Sequence, residues 1–156
     1  MLLALGCQTG SNKIKPTVNA VETVTDTIIE AKKPIQVDGC YMNALKRDTF
    51  TARLYQQGNS VNGNLIFNNY EKDGSTGSVT GKIEADILKL NYRFYSEGMN
   101  SLLEVYFKYK DGNLIRGIGE TGIKGDSAYF KNPAAVVFEG SVLKKIPCEK
   151  LPVKFR

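Results

Sequence analysis

Ile87-Leu88-Lys89-Leu90-Asn91-Tyr92-Arg93-Phe94-Tyr95 is the stretch on which the fold turns. Leu88, Leu90, Tyr92 and Phe94 alternate with Lys89, Asn91 and Arg93. A period of two puts the apolar set on one face of a β-strand and the polar set on the other. Working outward, Gly77 to Ala85 repeats the pattern with Val79, Gly81 and Ile83, after the reversal signal Lys72-Asp73-Gly74-Ser75. Ser60 to Glu71 carries Val61, Gly63, Leu65 and Phe67 on one face. Thr49 to Gln57 carries Phe50, Ala52 and Leu54 against Thr51, Arg53 and Tyr55, and Ile35 to Asn43 is a first strand. Towards the C-terminus, Leu102 to Lys110, Asn113 to Thr121, Ser127 to Lys131 and Ala135 to Leu143 are further strand segments, with Asp111-Gly112-Asn113 and Lys124-Gly125-Asp126 as turns. Connections this short make sequential strands antiparallel neighbours.

Eight or nine such strands leave two unpaired edges unless the first meets the last. Two cysteines favour closure: Cys40 lies in the first strand and Cys148 just after the last, and a disulfide needs their Cα atoms within about 4.4–6.8 Å. The expected fold is all-β, an antiparallel up-and-down barrel of eight or nine strands over residues 34–150, with a two-sheet β-sandwich as the alternative. Val61-x-Gly63-x-Leu65, Val79-x-Gly81-x-Ile83 and Ile115-x-Gly117-x-Gly119 place Gly between same-face positions, a sign of strongly bent strands.

Composition agrees. The 156 residues are 42% hydrophobic and 24% charged, with 15 Gly, 8 Tyr and no Trp, a balance that leans towards strands and tight turns. The net charge of +5 comes from Lys and Arg scattered singly or in pairs such as Lys32-Lys33 and Lys144-Lys145, so it reads as a solubility feature.

The chain opens Met1-Leu2-Leu3-Ala4-Leu5-Gly6-Cys7 and turns polar at once with Gln8-Thr9-Gly10-Ser11. This resembles a lipobox, with Gly6 as the small residue before the cysteine. The resemblance implies a lipid anchor on Cys7 and a protein of the bacterial cell envelope, attached most naturally to the outer membrane, with its domain in the periplasm or at the cell surface. Acyl chains contribute roughly 0.8 kcal/mol per buried methylene, so two or three of them hold a protein at a bilayer without a spanning helix. Residues 1–7 are then the remnant of a signal. Residues 8–33, rich in Thr, Asn, Lys and Ser and without an aromatic residue, form a tether that is either flexible or partly helical, with Val18, Val21, Thr25 and Ile28 at helical spacing. Residues 151–156 are a C-terminal tail. With Cys7 acylated, Cys40 and Cys148 remain as an even pair in an exported chain, the setting for a structural disulfide.

Gly39-Cys40-Tyr41, Gly58-Asn59-Ser60-Val61-x-Gly63-x-Leu65, Gly77-x-Val79-x-Gly81-x-Ile83 and Asp86-x-Leu88 resemble the opening strands of small lipoprotein β-barrels, lipocalin-like ones included. The resemblance implies a single small barrel domain.

Catalytic constellations are missing. The chain has no His, the side chain whose unperturbed pKa lies nearest neutrality, so Gly125-Asp126-Ser127 lacks the usual base, and Lys124 or Lys131 would have to supply it. Gly117-Ile118-Gly119-Glu120-Thr121-Gly122 matches a dinucleotide fingerprint by letter, but it sits among strands without the required βαβ context. In Thr76-Gly77-Ser78-Val79-Thr80-Gly81-Lys82-Ile83, a phosphate loop would need Gly at position 76 and Ser or Thr at position 83. Glu84, Asp86, Glu97, Glu104 and Glu120 show no pairing of the kind glycoside chemistry requires. Two distant cysteines without His cannot fill a zinc shell. No catalytic residue, metal or cofactor is expected. Arg93, Tyr95, Tyr106, Lys108 and Tyr109 have the types of a nucleic-acid surface but read as opposite faces of neighbouring strands, so nucleic acid is not an expected partner.

Two functions fit what is left. Either the barrel holds a small apolar or amphipathic ligand inside or at its mouth, or a filled barrel docks an envelope protein. An enclosed apolar cavity above roughly 300 Å3 would favour the first, and its absence would favour the second. Phe50, Leu54, Phe67, Leu90, Tyr92, Phe94, Val105 and Phe107 are large enough to fill the lumen. The segment Ser96-Glu97-Gly98-Met99-Asn100-Ser101 reads as a loop longer than a hairpin needs, and Ser96, Glu97, Met99 and Asn100 are its candidate binding residues.

Overall fold

The computed structural model describes residues 34–45, 48–68, 74–96 and 98–151. Cys7, the tether at 8–33, Glu97 and residues 152–156 lie outside these, and so do the expectations placed on them.

The described chain forms ten strands: β1 Gly39–Leu45, β2 Asp48–Gln57, β3 Ser60–Asn68, β4 Ser75–Glu84, β5 Ile87–Ser96, β6 Met99–Lys110, β7 Asn113–Arg116, β8 Thr121–Lys124, β9 Ser127–Phe130 and β10 Val142–Ile146. Strands β1 to β7 pair in sequence, β10 pairs with both β7 and β1, and the ring closes as an eight-stranded antiparallel barrel. The sandwich alternative is thereby excluded.

The alternation read from the sequence is the alternation of the barrel wall. Leu88, Leu90 and Tyr92 are buried in one core with Ala52, Leu54, Leu65, Phe67, Val79, Val105, Phe107, Leu114 and Leu143. On the opposite face Lys82, Glu84 and Arg93 are exposed. Turn chemistry matches the strands it joins. Asp111 and Gly112 both have positive φ, 51° and 79°, as a two-residue hairpin with right-handed twist requires. Strand bending explains the mid-strand glycines: a Cβ at Gly63, Gly77 or Gly81 would lie 2.0 Å from the backbone oxygen of Arg53, Arg93 or Lys89. Gly117 differs, being crowded by the side chains of Val136, Phe138 and Tyr106.

Three expectations require correction. The segment Ala135 to Leu143 is not a strand; a short 3-10 turn spans Pro133–Ala135, Val137 makes one bridge to Ile118, and the closing strand begins at Val142. Its apolar alternation reflects half-buried Val136 and Phe138 packing over Gly117 and Gly119 rather than a hydrogen-bonded ladder. The span Asn113 to Thr121 is broken after Arg116. Strands β8 and β9 form a hairpin outside the ring, attached through a parallel pairing of β9 with β6 at Leu102–Ser127 and Leu103–Ala128. Parallel neighbours arise here because the chain leaves the ring after β7 and returns along its outside.

The disulfide Cys40–Cys148 is present, with a Cα separation of 5.2 Å. Tyr41 faces the core, so Cys40 points outward, where it is buried with Ile66 and Leu151 and packed by Ile146 and Cys148. Leu151, 2% exposed, therefore belongs to the folded domain rather than to a solvated tail.

Candidate functional site

The two ends of the barrel differ. At one end the turns Gly58-Asn59, Ala85-Asp86 and Asp111-Gly112 come together, and residues 34–38 stopper the lumen. Val37 is fully buried in the core. Its N–H donates to Gln56 Oε1 (2.8 Å), and its carbonyl accepts from the Tyr41 hydroxyl (3.0 Å). Gln56 Nε2 donates to the carbonyls of Ile35 and Gly58, and Asp38 Oδ1 accepts from the Gln56 backbone. Gln56 thus pins the stopper, a role its place in a polar run did not signal. Burial pushes the Tyr41 phenol well above its ordinary pKa, with Tyr109 and Asp38 adding to the effect.

The opposite end is the mouth. Its lumen carries an aromatic layer in which Phe50, Phe67, Tyr92 and Phe94 follow one another at centroid distances of 5.4, 5.4 and 4.8 Å. The Tyr92 hydroxyl donates to Ser75 Oγ (3.1 Å), and burial raises its pKa. Arg116, two positions after the buried Leu114 and so on the same face, lays its guanidinium carbon 4.9 Å from the centre of the Phe67 ring.

The wall opens beside Arg116. β7 pairs with β6 only between Phe107 and Lys110, and the parallel ladder of β9 with β6 is confined to Leu102 and Leu103. Between those contacts lies an open cleft of about 310 Å3, whose walls include Leu103, Val105, Arg116, Ile118 and Phe130. The outer hairpin is latched across it by Glu104, whose two oxygens accept from the Tyr106 hydroxyl (2.7 Å) and the Phe130 N–H (2.8 Å). Tyr106 faces outward yet is 4% exposed because Phe130 covers it at 4.9 Å. Burial first, and then the Glu104 carboxylate, raise its pKa.

A second open cleft, about 480 Å3, lies on the other side of β9 and is lined by Phe94, Met99, Leu102, Leu103, Ile123 and Ala128 among others. Leu103 lines both. Met99 is 65% exposed and Ile123 81%.

The expected Ser96–Ser101 loop is corrected: Ser96 pairs with Met99 and Tyr95 with Asn100, so the connection is a two-residue hairpin. Of its candidates, Met99 and Asn100 line the second cleft. Ile123, Phe94 and Arg116 were missed, the first two because facing hairpins far apart in the chain create the cleft. Arg116 gave no clear signal, since the adjacent Leu114 and Ile115 are both apolar and leave its face undecided.

Gly117–Gly122 runs into β8, and no helix opens there. The Ser127 hydroxyl donates to Asp126 Oδ1 (2.9 Å), while Lys131 pairs with Glu120, Lys89 with Glu84 and Lys108 with Asp86. No protein-family model matches the chain, and neither the curated proteins nor the solved structures provide a significant match. Fold and site together define a class, a small closed β-barrel with one stoppered end and one apolar, cleft-lined mouth.

Proposed function

We propose that this protein is a lipid-anchored envelope lipoprotein that acts by non-catalytic binding, and that it takes a small apolar or amphipathic ligand at the mouth of the barrel. The observation that carries the reading is the cleft of about 480 Å3 between the β5–β6 and β8–β9 hairpins, where Met99 and Ile123 stand exposed beside Phe94, Leu102 and Leu103. Its size lies within the roughly 300–1,000 Å3 of small-molecule sites. Exposed apolar groups gathered in a concave surface mark interaction sites more than scattered ones do. The lumen itself is occupied by its own side chains, Tyr41, Tyr92, Phe107 and Leu90 being 0–1% exposed, which argues for binding at the mouth rather than inside. The anchor on Cys7 rests on the lipobox resemblance.

A second reading, docking of an envelope protein, is favoured by β8, whose outer edge has no strand partner among the described residues and could accept an added strand. Native mass spectrometry of protein released from its own membrane separates the two. A retained small amphiphile is expected; a retained protein subunit would transfer the site to the docking reading.

A further inference from the structure

We propose that the cleft at Arg116 receives the carboxylate head of a single-chain amphiphile, whose apolar part lies along Leu103, Val105, Ile118 and Phe130; the inference rests on the binding reading above. Arg116 is half-buried at the mouth, and among the described residues no carboxylate or carbonyl accepts from its guanidinium. Exposed cations such as Lys82, Arg93 and Lys144 have water to solvate them, and three lysines face carboxylates, Lys89 that of Glu84, Lys108 that of Asp86 and Lys131 that of Glu120; Arg116 is half-buried and faces none among the described residues. A guanidinium presents five donors in a planar fork suited to a planar carboxylate, and a desolvated cation with unspent donors binds such a partner more strongly than one in water. Burial lowers the Arg116 pKa from its ordinary value, which registers that missing solvation.

Its position is set from several sides. The Phe67 ring supports the guanidinium face at 4.9 Å, the Arg116 N–H donates to the Ser141 carbonyl, and Gly140 donates back to the Arg116 carbonyl. A Cβ on Gly140 would come within 2.8 Å of that oxygen, so glycine is what allows the close approach. The remaining charge in the cleft, Glu104, is committed to Tyr106 and Phe130. With Glu104 in the same cleft, an arriving monoanion meets less like-charge repulsion than a phosphate dianion. The volume of about 310 Å3 stands at the low end for ligand sites, which favours a single chain.

The test is calorimetric titration of the wild-type protein with decanoate, decanol and decyl phosphate at neutral pH, repeated on Arg116→Met. Decanoate is expected to bind about tenfold more tightly than decanol and more tightly than decyl phosphate, and Arg116→Met is expected to erase the preference while keeping decanol binding. Equal wild-type affinity for decanoate and decanol would overturn the head-group assignment and leave the binding reading standing. Failure of all three to bind would overturn both. Tighter decyl phosphate binding, or a preference surviving in Arg116→Met, would overturn the carboxylate–Arg116 pairing. Should Arg116→Met not fold, Arg116→Lys, which keeps the charge and loses the fork, is expected to reduce the preference, and an unchanged preference would count against the fork; the wild-type comparison decides in either case.

Discussion

Cys40 and Cys148, 108 residues apart in sequence, are bonded on the outer surface of the barrel, and the pair clamps the last turn, Cys148–Lys150, against the wall next to Ile66. The crosslink spans the seam where the first strand meets the last, since Cys40 also pairs across the ladder with Ile146. Cross-linking a loop of this length removes unfolded-chain entropy worth about 4–5 kcal/mol in a chain-entropy treatment. The double substitution Cys40→Ala, Cys148→Ala is expected to lower stability by several kcal/mol in urea titration, and a loss below about 1 kcal/mol would show that strand pairing alone closes the ring.

Thr51 pairs across the ladder with Ile66, which packs in the cluster around the disulfide. Thr51 lies on the outward face of β2 yet is 2% exposed, and its Oγ1 has no hydrogen-bond partner among the described residues. A buried hydroxyl without a partner is destabilising, and Val has nearly the same shape. Thr51→Val is expected to raise stability by about 1 kcal/mol; a fall of that size would mean that the hydroxyl is satisfied.

Backbone geometry makes two opposite predictions. Ala85 has φ of 56° in the turn before β5, a left-handed conformation that penalises a Cβ. Ala85→Gly is expected to stabilise by about 0.5–1 kcal/mol after allowing for the greater freedom of Gly in the unfolded chain. At Gly77 a Cβ would stand 2.0 Å from the Arg93 carbonyl oxygen and 2.8 Å from Phe94 Cα. Gly77→Ala is expected to destabilise by on the order of 3 kcal/mol. Thermal unfolding of the two variants, moving in opposite directions, checks both.

Three tyrosines bear on alkaline stability. Burial raises the pKa values of Tyr41, Tyr92 and Tyr106 above the ordinary 10.0. Above that pH the unfolded chain releases phenolic protons that the native state retains, so the unfolded state binds fewer protons and stability falls as pH rises. The contribution is fully present below about pH 10 and is lost as pH climbs through the folded values. Urea titrations at pH 8 and pH 11 should show the drop, and Tyr41→Phe should make it smaller, although that variant starts lower for want of its bond to the Val37 carbonyl. An unchanged pH dependence in Tyr41→Phe would remove Tyr41 from the account.

Acylation of Cys7 has a direct check. Labelled palmitate is expected to enter the wild type and not Cys7→Ser, and Cys7→Ser is expected to remain folded because the core is made by residues after Pro34. Absence of label from the wild type would end the lipoprotein reading.

The sequence by itself determined the strand content, the faces of β2 to β5 and the pairing of Cys40 with Cys148. Those follow from a period of two, from local turn chemistry and from cysteine arithmetic, all of which act within a few residues or on composition. Leu88, Leu90 and Tyr92 face inward because neighbours one residue away are polar, and no distant contact is needed to say so. The departure of the chain after Arg116 was another matter. Val136 and Phe138 alternate as a strand would, but whether an alternating segment forms a ladder depends on which edge it meets. Only the tertiary structure decided that β10 holds that edge and that the intervening hairpin lies outside, parallel to β6. The clefts share this origin: Met99 and Ile123 are 24 positions apart, and a concave surface between two hairpins is a property of their packing. Arg116 shows the boundary most clearly: Leu114 and Ile115 are both apolar, so alternation leaves the face of Arg116 open, and only the tertiary structure buries Leu114 and sets the Phe67 ring beside the guanidinium.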